Sequence, residues 1–347
     1  MNRHVSIGIL GGGQLARMLA QAAYKLPFKV DVSVYDASDT ECARSACDTF
    51  TCGPFDDAPA IKRFAQNLDL VTYEFEQFPF TVVQDLPNAV QGSRALEVLQ
   101  NRILEKAWIN RYAMVPCVPY EVVSEAYTFT YPIIVKTPTS GYDGKGQQII
   151  RNAQDLKPEH FGMVAEQMLI DPIEYSMIIA RNIDGTCTRY PALCNVHVNH
   201  ILDTTEFASV SEELELRMYE TARVLAESLE YVGVLAVEFF FSDGNLYVNE
   251  VAPRVHNSGH ITLDAANVSQ FDLHLYSLLG LPFPTIKVDT SWCMVNVLGQ
   301  HYEAIRSHTC AATFYDYGKH STAYGRKVGH INGKLADIEL LKEARTS

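Results

Sequence analysis

No apolar run in this chain approaches the roughly 18 residues that a membrane-spanning helix requires, so nothing in it reads as a bilayer protein. Positive charge is also scarce. Against 41 Asp and Glu the 347 residues hold 28 Lys and Arg, a net charge of −13. That disfavours a nucleic-acid backbone as partner, but not small anions, which need only local cations. The 8 cysteines follow no zinc-ligand spacing; Cys42, Cys47 and Cys52 merely recur every five residues. They read as reduced, mostly buried thiols of a cytoplasmic protein. The stretch before the first strand is too short and polar for a signal peptide. There is no internal repeat and no low-complexity segment. What remains is an ordinary globular composition, 47% hydrophobic and 20% charged, with length for two or three domains.

The chain opens with strand and helix patterns in alternation. "HVSIGIL" reads as a strand, "QLARMLAQAAYKL" as a helix and "KVDVSVYD" as a strand. "AIKRFAQNL" is a helix, and "DLVTYEFE" is a strand ending in Glu74 and Glu76. Such alternation argues a parallel α/β sheet with ligands at the strand ends. A single helix is expected over "SRALEVLQNRILEKAWINRY", broken by Pro116 and Pro119. Beyond it the pattern becomes β-rich, interrupted by the helix "SEELELRMYETARVLAESL".

The first turn, "GILGGGQLARM", joins strand to helix through glycines, a geometry that lets backbone approach a phosphate. Gly11, Gly13 and Ala16 fit a dinucleotide fingerprint, with Asp36 as its acidic residue. Three glycines in a row satisfy many patterns, so this turn alone leaves the ligand open. In "IIVKTPTSGYDGKGQQII" a strand delivers Lys136 and a glycine loop carries Lys145 back into a strand. A loop of this kind can fold over phosphates, although no helix follows and the Walker G-K-[ST] is missing.

"VLAVEFFFSDGNLYVNEVAPR" reads as a hairpin. With a three-residue loop, Asp243 to Asn245, position 242 pairs with 246 and Glu238 lies opposite Glu250 on one face. A two-residue Asp-Gly turn would put them on opposite faces. Like charges so close call for a cation between them, and magnesium shared with nucleotide phosphates suits two carboxylates. "NEVAPRVHNSGH" adds Asn249, Arg254, His256, Asn257 and His260 beside that pair. Lys319, Arg326 and Lys327 form a cationic, glycine-containing stretch suited to an anion.

Together "GILGGGQLARM", "QNRILEK", "IIVKTPTSGYDGKGQ", "VNEVAPRVHNSGH" and "GRKVGHIN" resemble the ATP-grasp superfamily. Within it the chain is similar to the N5-carboxyaminoimidazole ribonucleotide synthetases, from about residue 5 to 331. The resemblance implies an ATP-grasp fold of mixed α/β and α+β class. It would have a Rossmann-like parallel-sheet domain over 1–100 and an ATP-grasp domain over 101–280, with a small β-rich lid at about 116–180. A C-terminal domain over 281–347 would complete the substrate site.

It further implies that Arg102 and Lys136 contact ATP phosphates, with Lys136 catalytic. The loop Gly141, Tyr142, Asp143, Gly144, Lys145, Gly146 and Gln147 would close over them. Glu166, Gln167, Met168 and Leu169 would form the adenine hinge, Glu174 would take the ribose, and His197 would line the site. Glu238 and Glu250 would hold magnesium, with Asn249 beside them. Gln14, Leu15, Glu74, Asp143, Lys145, Asn257, Lys319, Arg326 and Lys327 would line the ribonucleotide pocket. Arg254, His256 and Asn257 would face bicarbonate. Relatives often carry an arginine where this chain has "HSTAY", and arginine at position 145. The implied partners are small molecules and a second copy in a homodimer, with neither nucleic acid nor membrane. A formate-using glycinamide ribonucleotide transformylase is the nearest rival. A nicotinamide dehydrogenase leaves the Glu238/Glu250 pair unexplained, and intact motifs argue against a non-catalytic nucleotide sensor.

Overall fold

The computed structural model describes residues 4–125, 127, 130–141, 146–306 and 312–338. The chain begins as β1 (His4–Leu10), α1 (Gln14–Ala23), β2 (Lys29–Asp36), β3 (Thr49–Cys52), α2 (Ala58–Ala65) and β4 (Leu70–Tyr73). These four strands make an all-parallel sheet in the order β3-β2-β1-β4. β4 is buried along its whole length and β1 over its last four residues, as covered parallel strands are, whereas β2 alternates and the edge strand β3 is partly exposed.

A short helix, α3 (Phe80–Gln84), precedes α4 (Arg94–Leu99) and α5 (Arg102–Tyr112). The single helix expected over residues 93–112 is therefore two. Asn101 breaks it: the backbone there is extended, and its side chain accepts from the amides of Ile103 and Leu104, capping α5. Gln100 turns away to donate to the carbonyls of Glu76 and Phe78.

β5 (Tyr120–Val122), β6 (Ile133–Lys136), β7 (Gln147–Ile150) and β8 (Val164–Gln167) form a small antiparallel sheet ordered β5-β8-β6-β7. The long antiparallel sheet follows: β9 (Ile173–Arg181), β10 (Cys187–Arg189), β11 (Leu193–Val198) and β12 (Ile201–Phe207) lead to α6 (Glu212–Ser228). β13 (Gly233–Ser242) and β14 (Asn245–Ala252) are then followed by α7 (Thr262–Ala265) and α8 (Gln270–Leu278). β15 (Trp292–Leu298), α9 (Tyr302–Arg306), β16 (Thr313–Asp316) and β17 (Lys327–Lys334) complete the described chain. The order is β14-β13-β9-β11-β12-β15-β17-β16, with β10 on β9. β15 pairs with β12, so the late strands extend the same sheet rather than building another.

One face of this sheet packs against α8, which packs in turn on α1 of the parallel-sheet layer, so the two sheets share a core including Leu19, Val34, Ala236 and Phe271. The other face buries Met177, Leu235 and Val237 under α6. A buried polar cluster locks the two sheets together. Gln91 accepts from Thr72 Oγ1 (2.5 Å) and the Tyr73 amide (3.1 Å), and donates to Tyr231 Oη (3.0 Å) and the Pro253 carbonyl (3.1 Å). His274 Nδ1 accepts from the Val234 amide, so its Nε2 carries the proton and donates to Thr72. Burial pushes this imidazole down to about 3, which keeps it neutral. Gln91→Leu would strand several buried donors and acceptors. At about 1–3 kcal/mol for each principal group, it should cost about 3–5 kcal/mol in urea unfolding. A loss below about 1 kcal/mol would show that the cluster does not hold the sheets together.

The described cysteines are free thiols, but only Cys42, Cys117 and Cys293 are buried; Cys52 is exposed. The expectation of mostly buried thiols fails because β3, which carries Cys52, is the edge strand of its sheet.

Candidate active site

The ribbon of β13 and β14 carries the pair of carboxylates. Its turn is the two-residue one, Asp243-Gly244, with both residues at positive φ (50° and 76°) and Ser242 paired with Asn245. The three-residue loop expected from sequence is therefore absent. By parity alone Glu238 would then face Asn249. A bulge between Val248 and Glu250 inserts one extra residue, Asn249, and restores Glu238 opposite Glu250. The pairing expected from sequence is correct for a different reason. The bulged Asn249 turns its amide to within 3.4 Å of Glu238.

The two carboxylates behave oppositely. Burial raises the affinity of Glu238 for a proton, but His256 Nε2 at 3.2 Å and the nearby charges of His197 and Arg254 prevail and hold it at about 2. Glu250 is reached by solvent yet walled by protein, and that desolvation together with the Glu238 charge pushes it up to about 7. Glu105 accepts from the Val251 amide at 2.7 Å, and burial beside Glu250 raises its carboxyl to about 8.

The glycine loop is anchored from α5. Arg102 donates to the carbonyls of Thr137 and Gly141, both at 2.9 Å, while its amide reaches Pro138. Gly146 (φ +75°) brings the return strand so close that a Cβ there would lie 2.6 Å from Thr137 Oγ1. Tyr142, Asp143, Gly144 and Lys145 lie outside the described residues. Lys136, ending β6, lies 2.8 Å from Glu166 Oε2 on β8. Glu166 is buried, so its carboxylate serves two lysines, with Lys106 2.9 Å from Oε1. Against burial, those two charges hold it at about 2. Gln167 ends β8, and Met168 and Leu169 continue toward β9. Glu174 of β9 lies 2.8 Å from His197 Nδ1 on β11 and, against burial, holds that imidazole above its ordinary value.

Arg254 grips Glu76 through Nε and Nη2, and Nη1 donates to the Val255 carbonyl, leaving N–H groups to spare. Its charge outweighs burial and keeps Glu76 low. His256 is oriented by a relay of buried hydroxyls. Nε2 faces the Glu238 carboxylate as the N–H side, so Nδ1 accepts from Ser258 Oγ at 2.9 Å. Ser258 is bonded to Ser176 (2.8 Å), which accepts from Asn195 (3.0 Å), whose oxygen accepts from Thr205 (2.9 Å). Asn257 exchanges two amide hydrogen bonds with Asn296 on β15, at 3.0 and 2.8 Å. His260 does not join the cluster. It is buried against Phe271 and His330, and burial pushes its imidazole far below the ordinary value.

At the glycine turn the structure corrects the phosphate-cradle reading. Glu74 accepts from the amides of Gly13 (2.7 Å) and Ala16 (2.9 Å), so a protein carboxylate occupies the N-terminus of α1. Asp36 accepts from the Gly12 amide (2.6 Å), so the acidic residue of the dinucleotide fingerprint secures the turn itself. A Cβ on Gly11 would lie 2.4 Å from Glu74 Cγ, so this glycine makes room for the carboxylate. Burial raises Glu74 to about 7 despite the two amides. Gln14 and Leu15 open α1 beside it. Lys319 comes to the same turn: Cys42, Glu41, Glu74 and Arg326 all act on its charge. Its ammonium lies 5.7 Å from the Tyr317 ring. Burial and Arg326 lower its proton affinity. Among the described residues no side-chain hydrogen bond or ion pair holds Arg326, which is exposed. Lys327 opens β17, where its charge reaches both His197 and His260. Sequence reasoning missed Glu105 and Lys106. Lys106 stands four residues after Arg102, hence on the same helix face, and that spacing was the available signal.

A lid sheet carrying a glycine loop and lysine, set beside a carboxylate ribbon on a large antiparallel sheet, defines an ATP-dependent ligase of the ATP-grasp class. Residues 105–271 match the model of the ATP-grasp domain, 4–100 that of the ribonucleotide synthetase preATP-grasp domain, and 293–344 that of the phosphoribosylaminoimidazole carboxylase C-terminal domain. The N5-carboxyaminoimidazole ribonucleotide synthase of Bacillus subtilis is 36% identical over 94% of this chain and 90% of its own length. A crystal structure of an ADP complex of N5-carboxyaminoimidazole ribonucleotide synthetase has a TM-score of 0.89 at 35% identity, covering 99% and 95% of the two chains. The Aspergillus clavatus synthase in complex with ADP and 5-aminoimidazole ribonucleotide has a TM-score of 0.87 at 25% identity, with both chains fully covered. The chain belongs to the N5-carboxyaminoimidazole ribonucleotide synthase family.

Proposed function

We infer that this protein carboxylates 5-aminoimidazole ribonucleotide to N5-carboxyaminoimidazole ribonucleotide, using ATP and bicarbonate, in purine biosynthesis. The observation that carries the reading is the bulged ribbon. It sets Glu238 against Glu250 where the charges of Lys136 and Arg102 act on Glu250. A bicarbonate oxygen attacks the ATP γ-phosphorus, the bond to ADP breaks, and carboxyphosphate forms. The exocyclic amine then attacks the carboxyl carbon, either of carboxyphosphate with phosphate leaving or of the CO2 that carboxyphosphate releases along with phosphate, and the amine loses a proton to give the carbamate.

Lys136 and Arg102 stabilise charge on the phosphates during transfer. Arg254, with N–H groups to spare, holds bicarbonate, and His256, its ring fixed between Ser258 and Glu238, faces it. Glu166 through Leu169 and Glu174 receive adenine and ribose, and closure of the loop from Gly141 to Gln147 keeps water from the labile intermediate. Among the described residues there is no cluster of three or more His, Cys, Asp or Glu able to hold a metal. Two facing carboxylates are the donor set that suits magnesium sharing phosphate oxygens, so Glu238 and Glu250 would hold it. Bound there, magnesium would neutralise the phosphates and withdraw charge from the γ-phosphorus. Lys319, Arg326 and Lys327 take the ribonucleotide phosphate, with Glu74, Gln14, Leu15 and Asn257 around the same substrate. A homodimer in the cytoplasm completes the reading.

ADP release, assayed with each substrate omitted in turn, tests it. Release should require aminoimidazole ribonucleotide, bicarbonate and ATP together. Faster turnover with glycinamide ribonucleotide and formate would assign the chain to the transformylase instead.

A further inference from the structure

Lys106 has no part in the chemistry above, yet its placement is unusual. Its side chain is 1% exposed, and its ammonium lies 2.9 Å from Glu166 Oε1. The other oxygen of the same carboxylate is 2.8 Å from Lys136. A buried carboxylate needs one cation for neutrality; this one has two. The three groups therefore carry one surplus positive charge in a poorly solvated place, which is costly unless an anion arrives. The exposures show where the surplus is presented. Lys106 and Glu166 are sealed at 1% and 3%, whereas Lys136 is 14% exposed and opens the glycine loop.

We propose that Lys106 is a positioning residue for nucleotide binding: it neutralises Glu166 from within, so that Lys136 offers its full charge to the nucleotide phosphates. Without it, Glu166 and Lys136 would form a neutral pair, and the carboxylate would hold Lys136 back from the ligand. The Glu166 charge outweighs burial and keeps Lys106 protonated, as this role requires. Glu105, the neighbour of Lys106, is tied to β14 at Val251, so α5 holds the Lys106–Glu166–Lys136 triad and the carboxylate ribbon in one frame. The inference rests on the proposed use of ATP.

Calorimetric titration of ADP with magnesium into the purified full chain tests it, using wild type, Lys106→Met and the double variant Lys106→Met/Glu166→Gln. Removing one unit of charge near phosphates at low effective dielectric should weaken ADP at least about tenfold in Lys106→Met. The Glu166 side chain is sealed with both oxygens on the lysines, so adenine meets that residue only through its backbone; the double variant keeps that backbone, restores the surplus charge on Lys136 and should recover most of that loss. The KM for aminoimidazole ribonucleotide should stay unchanged. A purely structural lysine predicts the reverse, a double variant no better than the single. That result, or wild-type affinity in Lys106→Met, overturns the proposal. Glu166 keeps Lys136 as partner in Lys106→Met, so folding should survive. If it does not, Lys106→Gln should show the same loss, and unweakened ADP binding by it overturns the proposal. A wild-type chain that binds no ADP sinks the functional reading, and this one with it.

Discussion

Glu250→Gln should lower kcat about 100- to 1,000-fold while leaving the fold intact. The glutamine keeps the shape of the side chain but removes a negative oxygen from the pair that would hold magnesium against the nucleotide phosphates. Losing one such electrostatic contact in the transition state typically costs two to three orders of magnitude. Stability should not fall, because in the free enzyme desolvation, together with repulsion from Glu238 opposite, already disfavours the charged form of Glu250 and raises its proton affinity. Thermal unfolding of the variant should occur at or slightly above the wild-type temperature. Raising magnesium should recover part of the activity. Wild-type turnover at ordinary magnesium would remove the pair from the mechanism.

Arg326→Ala should raise the KM for the ribonucleotide about ten- to a hundredfold and barely move that for ATP. Arg326 is an exposed guanidinium with no side-chain hydrogen bond or ion pair among the described residues, in a chain of net charge −13, and its charge acts on Lys319 at the glycine turn. The segment is strapped in place: the Gly299 amide donates to the Arg326 carbonyl and Gln300 accepts from the Gly325 amide. A Cβ on Gly299 would lie 2.2 Å from the carbonyl oxygens of Thr322 and Ala323, so the loop lies directly against this glycine. A charged hydrogen bond is worth about 1.5–3 kcal/mol, which sets the expected loss. The helix N-terminus at the glycine turn cannot substitute, because Glu74 already fills it. If the ATP requirement rises instead, the loop belongs to the nucleotide and the phosphate lies elsewhere.

Local sequence determined the elements and the inventory of chemistry. Apolar periodicity wrote the βαβ alternation, the strands flanking the glycine loop and the long amphipathic α6, because each depends on residues within a few positions of one another. Asn101 could have been read as a cap, and Lys106 as sharing a face with Arg102, from the same short-range rules. Tertiary structure decided what each charged group is for. The Glu238/Glu250 register depends on where one extra residue is accommodated, and the bulge at Asn249 is a property of the folded ribbon rather than of its turn. Glu74 lies some sixty residues from the amides it fills, and no local pattern says that a helix end written for a phosphate has been given to a carboxylate. His256 and His260 stand four residues apart in one polar stretch. Only packing makes the first a neighbour of Glu238 and buries the second against Phe271 and His330. Burial and pairing are properties of the assembled core, in which partners far apart in the chain fix the charge, tautomer and direction of each side chain.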